Sequence, residues 1–305
     1  MVTNNSANYA TGASGTVLTG NGEGVTPTFQ AAAGTGDVVG PAGATSTAIA
    51  VYDGTTGKLI ANSIPTIDSS GNILTSAALS GATLSMDVVN SSNTASSVAR
   101  MSTTVAGTSA GDAVFQASVS GGQTWSFGLD NSDSDAFALS SSVALGTTNV
   151  IIASVDGEVT MPLQPAFSAI LSATTASDKT GNNTIYTLIC NTEIFDQGSD
   201  YDNTTGTFTA PVTGIYRFNA RLAWNNIVGQ DSSQLYIQTS NRNYLTIMST
   251  FSPVGLRQNA SEFCDMDDGD TCILRGVGSG QGSDTVGFIG SATNAATYFA
   301  GNLVC

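Results

Sequence analysis

The chain contains no histidine. That absence removes Ser-His-Asp triads, Cys-His dyads, HExxH zinc sites and every imidazole-based proton relay. Basic residues are nearly as scarce: eight Lys and Arg stand against 23 Asp and Glu, for a net charge of −15. Between residues 1 and 160 the only cations are Lys58 and Arg100. Such a surface repels phosphate, so the attraction that drives nucleic-acid binding is missing, and adsorption to anionic lipid fails for the same reason. The excess acid is read as serving solubility rather than recognition of a basic ligand.

No apolar run approaches the roughly 20 residues that a membrane span requires. The opening "MVTNNSANYATGASG" lacks the basic and apolar regions of a secretory signal. The expectation is a soluble protein made in the cytosol. Cys190, Cys264, Cys272 and Cys305 are too few and too scattered for a disulfide scaffold, and without a CxxC pair they give no zinc signature. Glutamate is limited to Glu23, Glu158, Glu193 and Glu262, and most aspartates stand beside glycine in turns. No pair of acids accompanies an aromatic sugar platform, so a glycosidase is not expected. The reading is no enzyme and no cofactor.

What the chain does have is 305 residues, 41% of them apolar, and 34 glycines. Ser, Thr, Asn and Gly fill most of the remainder, while the surface helix formers Glu, Lys and Arg are rare. Short strands joined by turns suit this mixture, so the fold class is all-β. Residues 1–45 read as an extended leader of β-prone triplets between glycines. Residues 46–85 hold strand candidates about Asp53-Gly54 and Thr56-Gly57, with a second turn at Asp68–Asn72. Residues 86–161 form a denser β module. In "TWSFGL", Trp125, Phe127 and Leu129 share one parity, and Thr124, Ser126 and Gly128 the other. Pro162 and Pro165 stiffen a boundary before residues 166–305.

Within that last region "YDNTTGTFTAPVTGIYRF" turns at Asn203–Gly206, runs Phe208, Ala210 and Val212 inward, and reverses at Gly214. Pro211 ends the first strand or places it at an edge. Beyond Gly214, Tyr216, Phe218, Ala220 and Leu222 share one face, and Ile215, Arg217, Asn219 and Arg221 the other. The spacing predicts a half-buried antiparallel strand whose aromatics fill a sandwich core.

Several phrases resemble known families. "GTVLTGNGEGVTPTFQ", "VYDGTTGKLI" and "WSFGLDNSDSDAFALS" are similar to leader and shaft sequences of bacteriophage tail fibres and fibre-like virion proteins. "PAFSAIL", "FDQGSDYDNTTGTFTAPVTGIYRFNARL", "MDDGDTCIL" and "TYFAGNLV" resemble, in order and spacing, the globular head of the complement C1q / tumour necrosis factor-like family. The resemblance implies a C-terminal jelly-roll β-sandwich that trimerises about a threefold axis. Arg217 and Arg221 would then meet acidic groups on a neighbouring chain or stay solvated. The collagen stalk that usually precedes animal heads is absent, since no Gly-X-Y run occurs.

Together these readings describe a trimeric fibre or spike: leader 1–45, hairpin shaft 46–85, β-rich shaft module 86–161 and head 166–305. Implied partners are two further copies, other virion structural proteins through the N-terminal segment, and a host surface glycan or protein. The implied location is a tail or capsid appendage of a virion, made in the host cytoplasm. The rivals are a secreted bacterial adhesin or lectin with the same head, and a decoration protein without a receptor. The candidate receptor-binding positions are Asn225, Asn226, Gln230, Asp231, Gln281 and Asp284, on two polar loops. Asp265, Asp267, Asp268 and Asp270 crowd six residues and invite a Ca²⁺ ion, but their spacing is not that of an EF-hand, and a solvated hairpin turn is preferred. Cys264 and Cys272 flank that turn symmetrically and are expected as buried free thiols. "DNSDSD" (130–135) is read as a backbone-capping turn.

Overall fold

The computed structural model describes residues 16–19, 28–31, 47–52, 60–172, 176–249 and 255–305. The chain divides into two compact units, residues 1–101 and 102–305. In the first, β1 (Thr16–Thr19) pairs antiparallel with β2 (Thr28–Ala31). β3 (Ala48–Tyr52), β4 (Ile60–Ile67) and β5 (Ile73–Leu74) make a three-stranded antiparallel sheet. The expected turn at Asp53–Gly57 lies outside the described residues. The turn before β5 has an electrostatic cause. The Asp68 carboxylate accepts the Ser70 and Asn72 amides at 2.9 Å each, and Gly71 takes φ +84°.

The second unit begins its strands with β6 (Ala113–Ser118), β7 (Thr124–Asp130), β8 (Ala136–Ser140), β9 (Asn149–Ala153) and β10 (Val159–Thr160), an antiparallel meander. Between β7 and β8 stands a single 3-10 turn, Asn131–Asp133. The Asp130 side chain caps it through the Ser132 amide and hydroxyl, at 3.1 and 2.7 Å, and Ser134 and Asp135 take positive φ.

Strand alternation in this sheet runs opposite to the usual hydrophobic-in order. Small and polar side chains, Ser126, Asp130, Ala138 and Ser140, are buried. Residues 141–148 fold over that face, where the Val143 carbonyl accepts from Gln116 Nε2 and Ser126 Oγ at 2.8 Å each. On the other face cross-strand partners form apolar rows: Phe115, Phe127, Leu139 and Ile151, and Ala113, Leu129, Phe137 and Ala153. Trp125, Phe127, Leu129 and Phe137 are 40–45% exposed there.

The connector 161–165 is tied to the region that follows. Leu303 N donates to the Pro165 carbonyl at 3.0 Å, and Gln197 Nε2 to that of Pro162 at 3.1 Å. Residues 166–305 form two sheets. One holds β11 (Ala166–Ile170), β12 (Ala176–Thr180), β14 (Thr192–Gln197), β17 (Gly214–Asn225), β20 (Arg257–Met266), β22 (Val286–Phe288) and β23 (Tyr298–Leu303). Its order is β12-β22-β17-β23-β11-β14, with β20 on the other flank of β17. The second holds β13 (Ile185–Thr187), β15 (Tyr201–Asp202), β16 (Thr207–Thr209), β18 (Ser232–Thr239), β19 (Asn243–Met248) and β21 (Thr271–Ser279). Its order is β15-β16-β21-β18-β19, with β13 also against β21.

The core between them is aromatic. Tyr216 and Phe218 are fully buried, as the parity of β17 predicts, and Ala220 and Leu222 follow them inside. Phe218 packs against Phe208 and Phe299 with centroids 5.4 and 5.6 Å apart, and Phe167 reaches Phe208 and Phe299 at 5.1 Å each. Such pairs add about 0.5–1.5 kcal/mol each beyond burial. The Tyr216 hydroxyl donates to the Val212 carbonyl at 2.8 Å. Val212 itself is exposed, contrary to the inward run expected for it. The strand stops at Thr209, so Pro211 and Val212 lie beyond the sheet's alternation.

A second correction concerns residues 266–271. They are not the turn of a hairpin, because β20 pairs with β17 and β21 with β18 and β16. The segment carries the chain from one sheet to the other. Gly269 holds φ +86° there while its amide donates to the Ala210 carbonyl at 2.8 Å.

Candidate functional site

The six loop positions proposed for recognition meet at one end of the sandwich. Asn225 ends β17 opposite Gly287. Asn226 takes φ +56° and donates through Nδ2 to the Thr285 carbonyl at 2.8 Å. Gln281 donates to the Val228 carbonyl and accepts from Thr285 Oγ1 at 3.0 Å. The Asp284 carboxylate accepts from the Asn182 amide at 3.0 Å and the Thr184 hydroxyl at 2.5 Å. Those bonds hold its pKa below the ordinary 3.8. The backbone amide of Asp231 donates to the Ser279 carbonyl at 2.8 Å. The Gln230 amide is buried beside Gly278, and neither of its ends has a hydrogen-bond partner among the described residues. The side chains of Asn226, Gln281 and Asp284 thus tie three loops to one another. Those bonds engage groups that would otherwise face a ligand.

The acidic turn stands at the opposite end. Asp270 accepts from Ser240 Oγ and the Asp267 amide at 2.8 Å each, and also from Asn241 Nδ2. These donors lower its pKa below 3.8. Asp268 N donates to Thr213 Oγ1 at 3.1 Å, while Asp265 points outward from β20 opposite Ile215. Among the described residues no three acidic or thiol groups converge as a metal cage would need. Cys190, Cys264 and Cys272 are buried free thiols and Cys305 is exposed. Burial raises the Cys190 pKa to about 12, which keeps the sulfur neutral and unreactive.

Both core-averted arginines of β17 engage their own chain. Arg217 lies over the Phe263 ring, 5.7 Å from its centroid, and Arg221 over Tyr298 at 5.0 Å. Arg221 also donates to the carbonyls of Ala295 and Ala296.

A third arrangement lies on the outer face of the β18–β21 sheet, where sequence reading placed no candidate. Arg275 on β21 stands between cross-strand partners Tyr236 on β18 and Thr187 on β13. An open cleft of about 160 Å³ is lined by Ile185, Tyr236, Gln238, Asn243 and Arg275. The Arg275 Nε is buried, and among the described residues it finds no hydrogen-bond acceptor. The alternation of "SSQLYIQT" and "TCILRGVGS" puts Tyr236, Gln238 and Arg275 on outward parity. Only the pairing register brings them together.

The family model described as "C1q domain" matches residues 166–304. The globular domain of zebrafish complement 1qA is similar at 20% identity and a TM-score of 0.34, over 47% of this chain and 98% of its own. Murine APRIL is similar at 10% identity and a TM-score of 0.33, over 46% and 99%. The PRD1 vertex protein P5 is similar at 12% identity and a TM-score of 0.36, over 51% and 83%. No curated protein matches the chain. The two-sheet sandwich coincides with residues 166–304, the part of the chain that the C1q model matches.

Proposed function

We propose that the chain is a homotrimeric structural fibre or spike whose C-terminal head binds a molecule on a host cell surface. The observation that carries this reading is the bare apolar face of the β6–β10 sheet. A single chain buries serines and an aspartate on one side and leaves Trp125, Phe127, Leu129 and Phe137 in water on the other. At ~150–250 Å² per large side chain, their exposed parts sum to on the order of 400 Å². Three such faces turned inward would bury roughly 1,200 Å², the lower bound for a specific interface.

Copies of the same chain fit this face better than a foreign partner does. The exposed rows carry no charge: Asp130 is buried on the opposite face, and Asp133, Asp135, Asp156 and Glu158 lie in the turns of the sheet. Like therefore meets like without repulsion. The connector tied to the head would carry the association of one region into the other. The match of residues 166–304 to the C1q model favours a binding role over catalysis. In this reading the leader joins other virion proteins, and the particle is a tail or capsid appendage.

Molar mass in solution by light scattering tests the assembly. The expected value is about three times the 30.8 kDa chain mass. A value near one chain mass at micromolar concentration would overturn the trimer. Binding of the full chain to host cells separates a receptor binder from a decoration protein.

A further inference from the structure

We infer that the outer-sheet cleft about Arg275 is a binding site for a sugar that bears a single carboxylate. The inference deepens the receptor-binding reading above and rests on it. It assigns the contact to the side of the head rather than to the loop corner.

The chain has 23 acids for eight bases, so a carboxylate partner for any arginine is plentiful in the composition. Arg275 nevertheless forms no ion pair and no side-chain hydrogen bond among the described residues. Its surroundings are neutral by construction. The cross-strand row through it is Leu245, Tyr236, Arg275 and Thr187. The rows on either side are Ile247, Gln234, Val277 and Ile185, and Asn243, Gln238, Ile273 and Thr207. No position among these is acidic. A guanidinium partly withdrawn from water with no acid beside it is costly, and an anion against its terminal nitrogens offsets part of that cost.

The chemistry of the lining narrows the ligand. A planar guanidinium matches a carboxylate with two parallel hydrogen bonds. Gln238 and Asn243 offer amide donors and acceptors suited to hydroxyls. Tyr236 offers a ring edge, and its hydroxyl is oriented by donating to Gln234 Oε1. Ile185 supplies an apolar wall. At about 160 Å³ the cleft suits one sugar ring better than several. A phosphate, with nearly two charges, would call for more than one cation and would meet stronger repulsion from a chain of charge −15.

The test uses the full-length chain and saturation-transfer NMR with methyl glucuronoside, N-acetylneuraminic acid and the neutral control methyl glucoside. At least one carboxylated sugar is expected to bind while the neutral sugar does not. Arg275→Gln is expected to weaken that binding at least tenfold, with Tm and molar mass unchanged. Asn243→Asp, at an exposed strand position, places a negative charge at the cleft mouth and is expected to weaken it comparably, so the test survives misfolding of the arginine variant. Equal binding of acidic and neutral sugars, no binding of either acid, or insensitivity to both substitutions would overturn the assignment. Host-cell binding that persists in Arg275→Gln would sink this site while leaving the receptor-binding reading intact.

Discussion

Single residues in the head show how tightly the core is specified. Gly301 on β23 faces Phe218 across the ladder, and a Cβ there would fall 2.5 and 2.7 Å from that ring and 2.9 Å from Phe167. Two fully buried rings must shift to admit one methyl group. Gly301→Ala is therefore expected to cost about 1–3 kcal/mol by overpacking, read as a fall in denaturant midpoint at unchanged m-value. An unaltered midpoint would mean that the rings have slack. A second residue-scale effect is alkaline. Burial raises Cys190 from 9.0 to about 12. The thiol stays protonated in the fold while the unfolded chain ionises near pH 9. Its contribution is complete below pH 9 and is lost as pH rises toward 12, at roughly 1.4 kcal/mol per pH unit. Under a reductant, Tm should decline between pH 9 and 10.5, and Cys190→Ala should lessen that decline, the buried thiols Cys264 and Cys272 contributing the rest.

At the scale of elements, the corner formed by residues 181–184, 225–231 and 278–285 is held by side chains more than by a ladder. Asp284 receives two bonds from residues 182 and 184. Asp284→Ala should leave the sandwich folded but speed amide hydrogen exchange at Asn182 several-fold. Unchanged exchange there would show that neighbouring backbone bonds, such as Asn183 N to the Gly278 carbonyl, suffice. The sequence shows the loops but not their engagement with one another, because the donors and acceptors lie 53 to 102 residues apart. It shows the parity of β17 correctly, because a period of two needs only neighbours. Carrying the alternation of Phe208 and Ala210 on to Val212 fails, since alternation ends where a strand ends. The turn at Asp267–Asp270 was legible as a turn. Its role in switching sheets was not, because the partners of β20 and β21 lie in different parts of the chain.

For the whole molecule, the decisive quantity is apolar surface left in water. Trp125→Ser with Phe127→Ser removes two side chains that a lone chain already exposes. In the proposed trimer the pair should lower assembly, seen as a molar mass that falls toward one chain on dilution at concentrations where wild type keeps its mass. If the face were simply solvent-exposed, the substitutions would raise solubility and leave the mass alone. No helix among the described residues is long and apolar enough to cross a membrane.

Composition by itself determined the chemistry this protein lacks and its all-β class, because missing imidazoles and scarce helix formers act without regard to arrangement. Local alternation determined which side chains share a face. Only the tertiary structure decided which face is covered and who stands beside whom. In β7 it is Ser126 and Asp130 that are buried and the aromatics that are bare, and in β21 Arg275 is set among neutral neighbours. Parity is a property of adjacent residues, whereas cover and register come from segments distant in the chain, and a period of two is silent about both.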